Sequence, residues 1–475
     1  MNRTSLKRGT YFGYFIGSLA YLYVITKEQI FSDEYDLLGS GEDLSKHIMK
    51  DGRPIGAIIY RFMAFLVDSP ADILYLRILS LVASLLLLLL ISKEISKVYN
   101  DDFLKVLISI AIFLPAFALH LAWGMLSYFM IASLASFIAF KLWTSPSRRS
   151  RAVAILIQII VLLVYPPSAF AAFAFMGVIA LVSKAPLITE TKRTWNWVVL
   201  NFIAGMSAVA IVILDSSLRG YTLNSRVQIV NAGDALEKVA WLFSRPLIIS
   251  TRLFDIRSPN TATALVTFLL FSLVFLLGFN RHHVVKKQLF GRIILFVACL
   301  SLSLAPIGLS ADNQFDYRLI LGTSVSLYIA FVFAALQTVE RFAKGVISKV
   351  LILIIFMVVG VGSMYSHSTK LFIDPYVVKK QLIYNSINYC FAENVRPRGI
   401  VLVGRELIYA QRENLGLFSM RTDMASEWVP IPSFKLALSE MNLPDVRVVW
   451  ADSNSKIEPD DCRIDLSNFV KTFSN

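Results

Sequence analysis

About eleven apolar runs, each near the 20 residues a helix needs to cross a bilayer, follow one another along this chain with only short polar segments between them. Their limits fall near 10–27, 72–92, 103–122, 124–143, 152–165, 167–183, 195–215, 262–280, 290–309, 318–338 and 350–366. With 56% hydrophobic and 17% charged residues and a mean hydropathy of +0.63, the chain reads as a polytopic α-helical membrane protein rather than a soluble one. The fifth and sixth runs are short, and Tyr165-Pro-Pro-Ser168 between them reads as a tight break, which makes a shallow or re-entrant pair an alternative there.

Orientation follows from the basic clusters. Arg3, Lys7 and Arg8 precede the first run, and alternate loops carry Lys93 with Lys97, Lys141 with Arg148, Arg149 and Arg151, Lys184 with Lys192 and Arg193, Arg281 with Lys286 and Lys287, and Arg341 with Lys344 and Lys349. All lie on one side if the N-terminus is cytoplasmic and the number of spans is odd. The net charge of +13 is therefore a topology signal, and no nucleic-acid partner is implied. The opposite side receives loop 28–71, the turn near 123, the Pro-Pro turn, loops 216–261 and 310–317, and everything after about 367. A signal peptide is the alternative for the first run, but no clear cleavage site follows Gly17-Ser-Leu-Ala20, and the run is taken as a membrane helix.

Beyond about Ser368 the apolar runs shorten. Residues 376–394 read as an amphipathic helix, and 399–403 and 446–450 as buried strands, so 1–366 is expected to form the membrane domain and 367–475 a small outward α/β domain. Of three cysteines, Cys299 lies within a span while Cys390 and Cys462 fall in the tail, where export would favour a disulfide; two unpaired thiols are the alternative.

Chemistry is concentrated on the outer side. Phe31-Ser-Asp-Glu-Tyr-Asp36 follows the first span, and Asp51-Gly-Arg-Pro-Ile-Gly56 comes soon after. Carboxylates beside the lipid surface can act on a substrate the membrane delivers, whereas the plainer reading is a solvated acidic face. In a helix Asp33 and Asp36 share a face and Glu34 points elsewhere. Ile55–Leu66 is apolar but too short to span, as expected of an interfacial helix. Arg318 opens the tenth span against the positive-inside trend, where it can bind a phosphate or pair with Asp316. Arg77, Arg219, Arg226, Arg245, Arg252 and Arg257 are weaker candidates of the same kind. There is no Walker-type loop, no H-E-x-x-H and no clustering of the five histidines, so neither nucleotide hydrolysis nor a histidine metal site is indicated.

Asp33-Glu34 after the first span, Gly52-Arg53-Pro54 after it, the layout of spans and the small outward tail together resemble the bacterial serotype-converting O-antigen glucosyltransferases of the GT-C class. Many of those enzymes carry a basic residue shortly after the acidic pair, where this chain has Leu37. The resemblance implies a GT-C-like fold in the bacterial inner membrane with its site facing the periplasm. It implies undecaprenyl-phosphate glucose as donor and O-antigen polysaccharide as acceptor, with a polyprenyl-phosphate glucose synthase and a flippase as functional partners. Asp33 or Glu34 is then the catalytic base, with Asp36, Arg53, Arg318 and Asp316 in substrate binding and inversion at the anomeric carbon. No cofactor follows, and a divalent metal stays open as an alternative.

Other transferases of the same class, moving another lipid-linked sugar to lipid A or protein, fit the same residues. O-antigen polymerases and ligases are expected to use basic residues in a large outer loop, and loop 216–261 is modest. A lipid-sugar flippase or transporter predicts polar residues near the midplane of several spans, where this chain offers little beyond Gln158 and a few serines. A sensor would not need so many spans.

Overall fold

A computed structural model describes residues 3–31, 33–39, 41–224, 227–254, 261–279, 288–311, 313, 318–343, 345–392, 397–403, 429–451 and 460–466. The chain is overwhelmingly helical. Among the described residues five helical stretches are long and apolar enough to cross a membrane: Pro70–Val98, Gly124–Trp143, Leu187–Arg219, Leu321–Phe342 and Val346–Ala392. A sixth crossing results if Asp102–Phe113 and Pro115–Ala122, bent by 49°, are one span; the bend falls at Pro115, which cannot donate to the preceding turn. By this stricter measure the eleven runs reduce to five or six, and the remainder form shorter apolar helices such as Pro166–Val182 and Leu289–Ser303.

We number the helices used below in chain order: α1 (Arg3–Thr26), α2 (Glu34–Leu37), α3 (Glu42–Lys50), α4 (Pro54–Leu66), α5 (Ile73–Val98), α6 (Asp102–Ile110), α7 (Pro115–Ala122), α8 (Ser127–Trp143), α9 (Arg148–Val164), α10 (Pro166–Val182) and α11 (Leu187–Arg219). After these come α12 (Ala235–Leu242), α13 (Ile248–Ser250), α14 (Thr261–Phe279), α15 (Leu289–Ser303), α16 (Ala305–Leu309), α17 (Leu321–Phe342), α18 (Val346–Ser368), α19 (Asp374–Ala392) and α20 (Pro430–Glu440).

The Pro-Pro pair marks the break between α9 and α10. Tyr165 is extended and the two prolines occupy the first positions of α10, where their missing N–H groups cost nothing. From there α10 is buried along its length and packs against α8, α15 and α17. Small residues allow the close approach: a Cβ on Gly322 would lie 2.8 Å from the Ala171 backbone. The reverse holds at the periphery, where α11, α14 and α18 expose Phe202, Leu214, Leu269, Leu276, Ile347 and Val358, as expected of lipid-facing helices.

Contacts sort the connecting segments into two groups. In one, the basic loops meet: Lys141 pairs with Glu94 at 3.1 Å, Lys349 with Asp101 at 3.7 Å, and the Leu187 N–H donates to Gln288 Oε1 at 3.1 Å. In the other, loop 28–71 meets the turn at 123, the Pro-Pro turn, loop 216–261 and the segment after α18. Segments 228–230 and 309–311 are stitched by main-chain hydrogen bonds, Val230 to Leu309 and Ala311 to Gln228 at 2.9 Å each.

Helix runs unbroken from Val346 to Ala392, passing through the boundary expected near 366 without a linker. Beyond it, three short parallel strands, β1 (Gly399–Val403), β2 (Arg447–Trp450) and β3 (Cys462–Asp465), form a sheet in the order β2-β1-β3. The third strand carried too little apolar pattern to be read in advance. A disulfide between Cys390 and Cys462 ties α19 to β3.

Candidate functional site

The acidic cluster is folded into the protein rather than solvated. Asp33 caps the single-turn α2, and Asp33, Glu34 and Asp36 are all buried. A left-handed Gly41 lets the chain fold back, with Tyr60 of α4 covering the turn: its hydroxyl lies 2.8 Å from the Asp33 carbonyl and 3.2 Å from Asp36 Oδ2. Asp36 also accepts from the Leu44 N–H. Burial pushes its carboxyl up to about 6 against those two hydrogen bonds, and the like charges of Asp43 and Asp33 add to the rise.

Glu34 has a different role. One oxygen accepts from the Gly124 N–H, the other from the Phe31 N–H at 2.8 Å, and Arg77 lies 3.5 Å away. Burial raises its carboxyl above the ordinary range, opposed by Arg77 and by the N–H groups of Phe31, Gly124 and Met125. Arg77 additionally donates to the carbonyls of Lys27 and Gln29. The pair therefore pins the end of α1, the acidic turn, α5 and the turn at 124 to one another.

The Asp51–Gly56 segment is a corner between α3 and α4. Gly52 takes the left-handed conformation, Arg53 caps α4, Pro54 supplies its first position, and Gly56 lets α4 sit on α9, since a Cβ there would meet the Val164 carbonyl at 2.8 Å. Asp51 is almost wholly buried and binds both Arg53 Nη2 and, at 2.8 Å, Asn224 Nδ2 from loop 216–261. So oriented, the Arg53 guanidinium lies 5.7 Å from the Tyr165 ring centre. As expected of an interfacial helix, α4 buries Ala57, Tyr60 and Met63 and exposes Ile58, Phe62 and Phe65.

Arg318 stands over the Trp123 ring at 5.1 Å and lines a recess with Ser133, Ser168, Ser303 and Thr323. Trp123 is in turn packed edge-on by Phe31, which also meets Phe372. The candidates gather around residues 123–129: Arg318 lies over Trp123, and Arg53 lies over Tyr165, whose ring stacks at 3.7 Å on Phe129, itself packed against Tyr128. Asp36 stays behind Tyr60. From the tail, Lys379 is fully buried with its ammonium 4.5 Å from the Tyr35 ring centre, and Tyr376 and Lys380 both donate to Glu28.

Asp316, Arg226 and Arg257 lie outside the described residues. Arg219 pairs with Asp215 on the surface. Among the described residues no three His, Cys, Asp or Glu side chains gather as a metal site would require. Sequence reasoning gave no role to Tyr60, Trp123, Tyr128 or Lys379. The one available signal was position, since Trp123 occupies a very short turn on the same side as the acidic loop. No family model, curated protein or solved structure matches the chain.

Proposed function

We propose that this protein is a membrane glycosyltransferase using a polyprenyl-phosphate sugar, and that it transfers glucose from undecaprenyl-phosphate glucose to O-antigen polysaccharide at the periplasmic face of the bacterial inner membrane. The observation that carries the reading is the gathering of two guanidinium groups, Arg318 over Trp123 and Arg53 over the Tyr165 ring that stacks on Phe129, beside the buried acidic turn that holds Asp33. A carboxylate that takes a proton and cations that receive a departing phosphate are what this transfer needs. The two-ended sorting of the loops supports the eleven-span reading with the N-terminus inside and the tail outside.

Asp33 is the base in this reading, because Glu34 spends both oxygens on the Arg77 and Gly124 clamp. Asp33 accepts the proton of an acceptor hydroxyl as that oxygen attacks the anomeric carbon. The bond from carbon to phosphate oxygen breaks, and its electron pair leaves on polyprenyl phosphate, facing Arg53 and Arg318. Attack opposite the leaving group inverts the anomeric centre. Asp51 and Tyr165 fix Arg53, so its charge need not reorganise as the leaving group develops.

The test is transfer of labelled glucose from synthetic undecaprenyl-phosphate glucose to O-antigen by protein in liposomes. Asp33→Asn is expected to lower the rate by about 100-fold or more. Parent-like transfer by that variant would remove Asp33 as base, and a parent that transfers no sugar from any polyprenyl phosphate would overturn the function.

A further inference from the structure

Three polar side chains within six residues of the 123–128 turn are buried and make no hydrogen bond: Trp123 Nε1, Ser127 Oγ and Tyr128 Oη. Trp123 is 7%, Ser127 1% and Tyr128 3% exposed. Buried donors are nearly always paired, so each orphan asks for a partner. Others occur in this protein, as at Tyr14 and Trp197, but those two stand apart, whereas the three at the turn accompany two arginines and an aspartate. Arg318 lies over the Trp123 ring, and Arg53 lies over Tyr165, which stacks on Phe129 beside Tyr128.

We infer that Trp123 and Tyr128, with Ser127 beside them, are donors to a phosphate ester of a lipid alcohol, held between Arg53 and Arg318. The chemistry selects the class. A tryptophan N–H can only donate, the two arginines can only donate, and the hydroxyls can donate as well, so the cluster calls for an acceptor-rich anion, which a phosphate is and a neutral sugar is not. The exposed Ile58, Phe62 and Phe65 of α4, the helix that Arg53 caps, give an attached hydrocarbon chain an apolar path away from the site. The inference rests on the proposed transferase reading and adds to it the residues that grip the donor's phosphate.

The experiment measures binding of citronellyl phosphate to the full-length protein in detergent by calorimetry, together with thermal unfolding. Ser127→Ala and Tyr128→Phe keep the packing and delete one donor each. Each is expected to weaken binding by about 10- to 100-fold, the range for a hydrogen bond to a charged group, without lowering the unfolding temperature of the ligand-free protein, because no internal bond is lost. Unchanged binding in both variants, or a drop in unfolding temperature in both, would overturn the inference. Inorganic phosphate binding as tightly as citronellyl phosphate would assign the site to a free anion and overturn the lipid-linked assignment. Asp33→Asn separates this inference from the transferase reading: it should bind citronellyl phosphate like the parent while transferring no glucose. Phosphate binding that depends on Tyr128 in a parent without transferase activity would sink the activity and keep the site.

Discussion

Glu34 and Arg77 form an ion pair at 3.5 Å whose side chains are almost wholly removed from solvent. The neighbouring acid, Asp33, is buried as well, and its carbonyl accepts from the Tyr60 hydroxyl. Glu34 is thereby held in a structural clamp, whereas in the proposed reaction Asp33 is the base.

That difference predicts a separation of phenotypes. Removing one partner of a buried pair leaves the other uncompensated, at a cost of about 3–5 kcal/mol. Glu34→Gln and Arg77→Met should therefore lower the unfolding temperature and the yield of detergent-extracted protein. Asp33→Asn should leave both near the parent values and lose transfer. Thermal size-exclusion profiles of the three variants beside one rate assay decide it; a well-folded, inactive Glu34→Gln would return the base to Glu34.

Asp36 predicts a pH effect of defined sign. Its carboxyl titrates near 6 in the folded protein, against 3.8 ordinarily, so the folded state binds the proton more tightly. Its contribution to stability is then greatest below about 4, falls as pH rises from about 4 to 6, and is constant above, with a span on the order of 3 kcal/mol. Asp36→Asn should flatten that part of the stability profile and be no less stable than the parent at pH 7. Unfolding temperatures of both proteins at pH 4, 5, 6 and 7 provide the comparison, and parallel profiles would refute the assignment.

The glycines of the 52–56 corner should differ. At Gly52 a side chain meets only a strained backbone, since its nearest neighbours would lie 3.5 Å away, and alanine there should cost about 1 kcal/mol. At Gly56 the Val164 carbonyl blocks the added carbon, and α4, which carries Tyr60 and is capped by Arg53, must move. Gly56→Ala should cost activity far more than Gly52→Ala in the same assay. Equal losses would argue that the turn, rather than the contact with α9, positions Arg53.

Much of this architecture was legible in the chain. Hydropathy found the helices, and the basic loops that alternate along the sequence do meet one another, as Lys141 with Glu94 and Lys349 with Asp101 show. The short apolar helix over Ile55–Leu66 was legible too, with one face buried and Ile58, Phe62 and Phe65 exposed on the other. Pro166 and Pro167 marked the break between α9 and α10, but only packing against α8, α15 and α17 reveals how central α10 is. At the site, charge spacing singled out Asp33 and Glu34 but could not divide them, because the partner that claims Glu34 stands 43 positions away. Trp123 and Tyr128 carry no local pattern at all. Their meaning lies in what surrounds them, and a linear motif does not encode that.

The hydrogen bond from Tyr376 to Glu28 joins positions 348 apart. Its consequence concerns the order of assembly: the acidic turn is made early in translation, yet the helix that braces it emerges only after nearly four-fifths of the chain has been synthesised. A partly synthesised protein lacks that brace, so the packing of the first loop is completed only near the end of synthesis, when α19 reaches it.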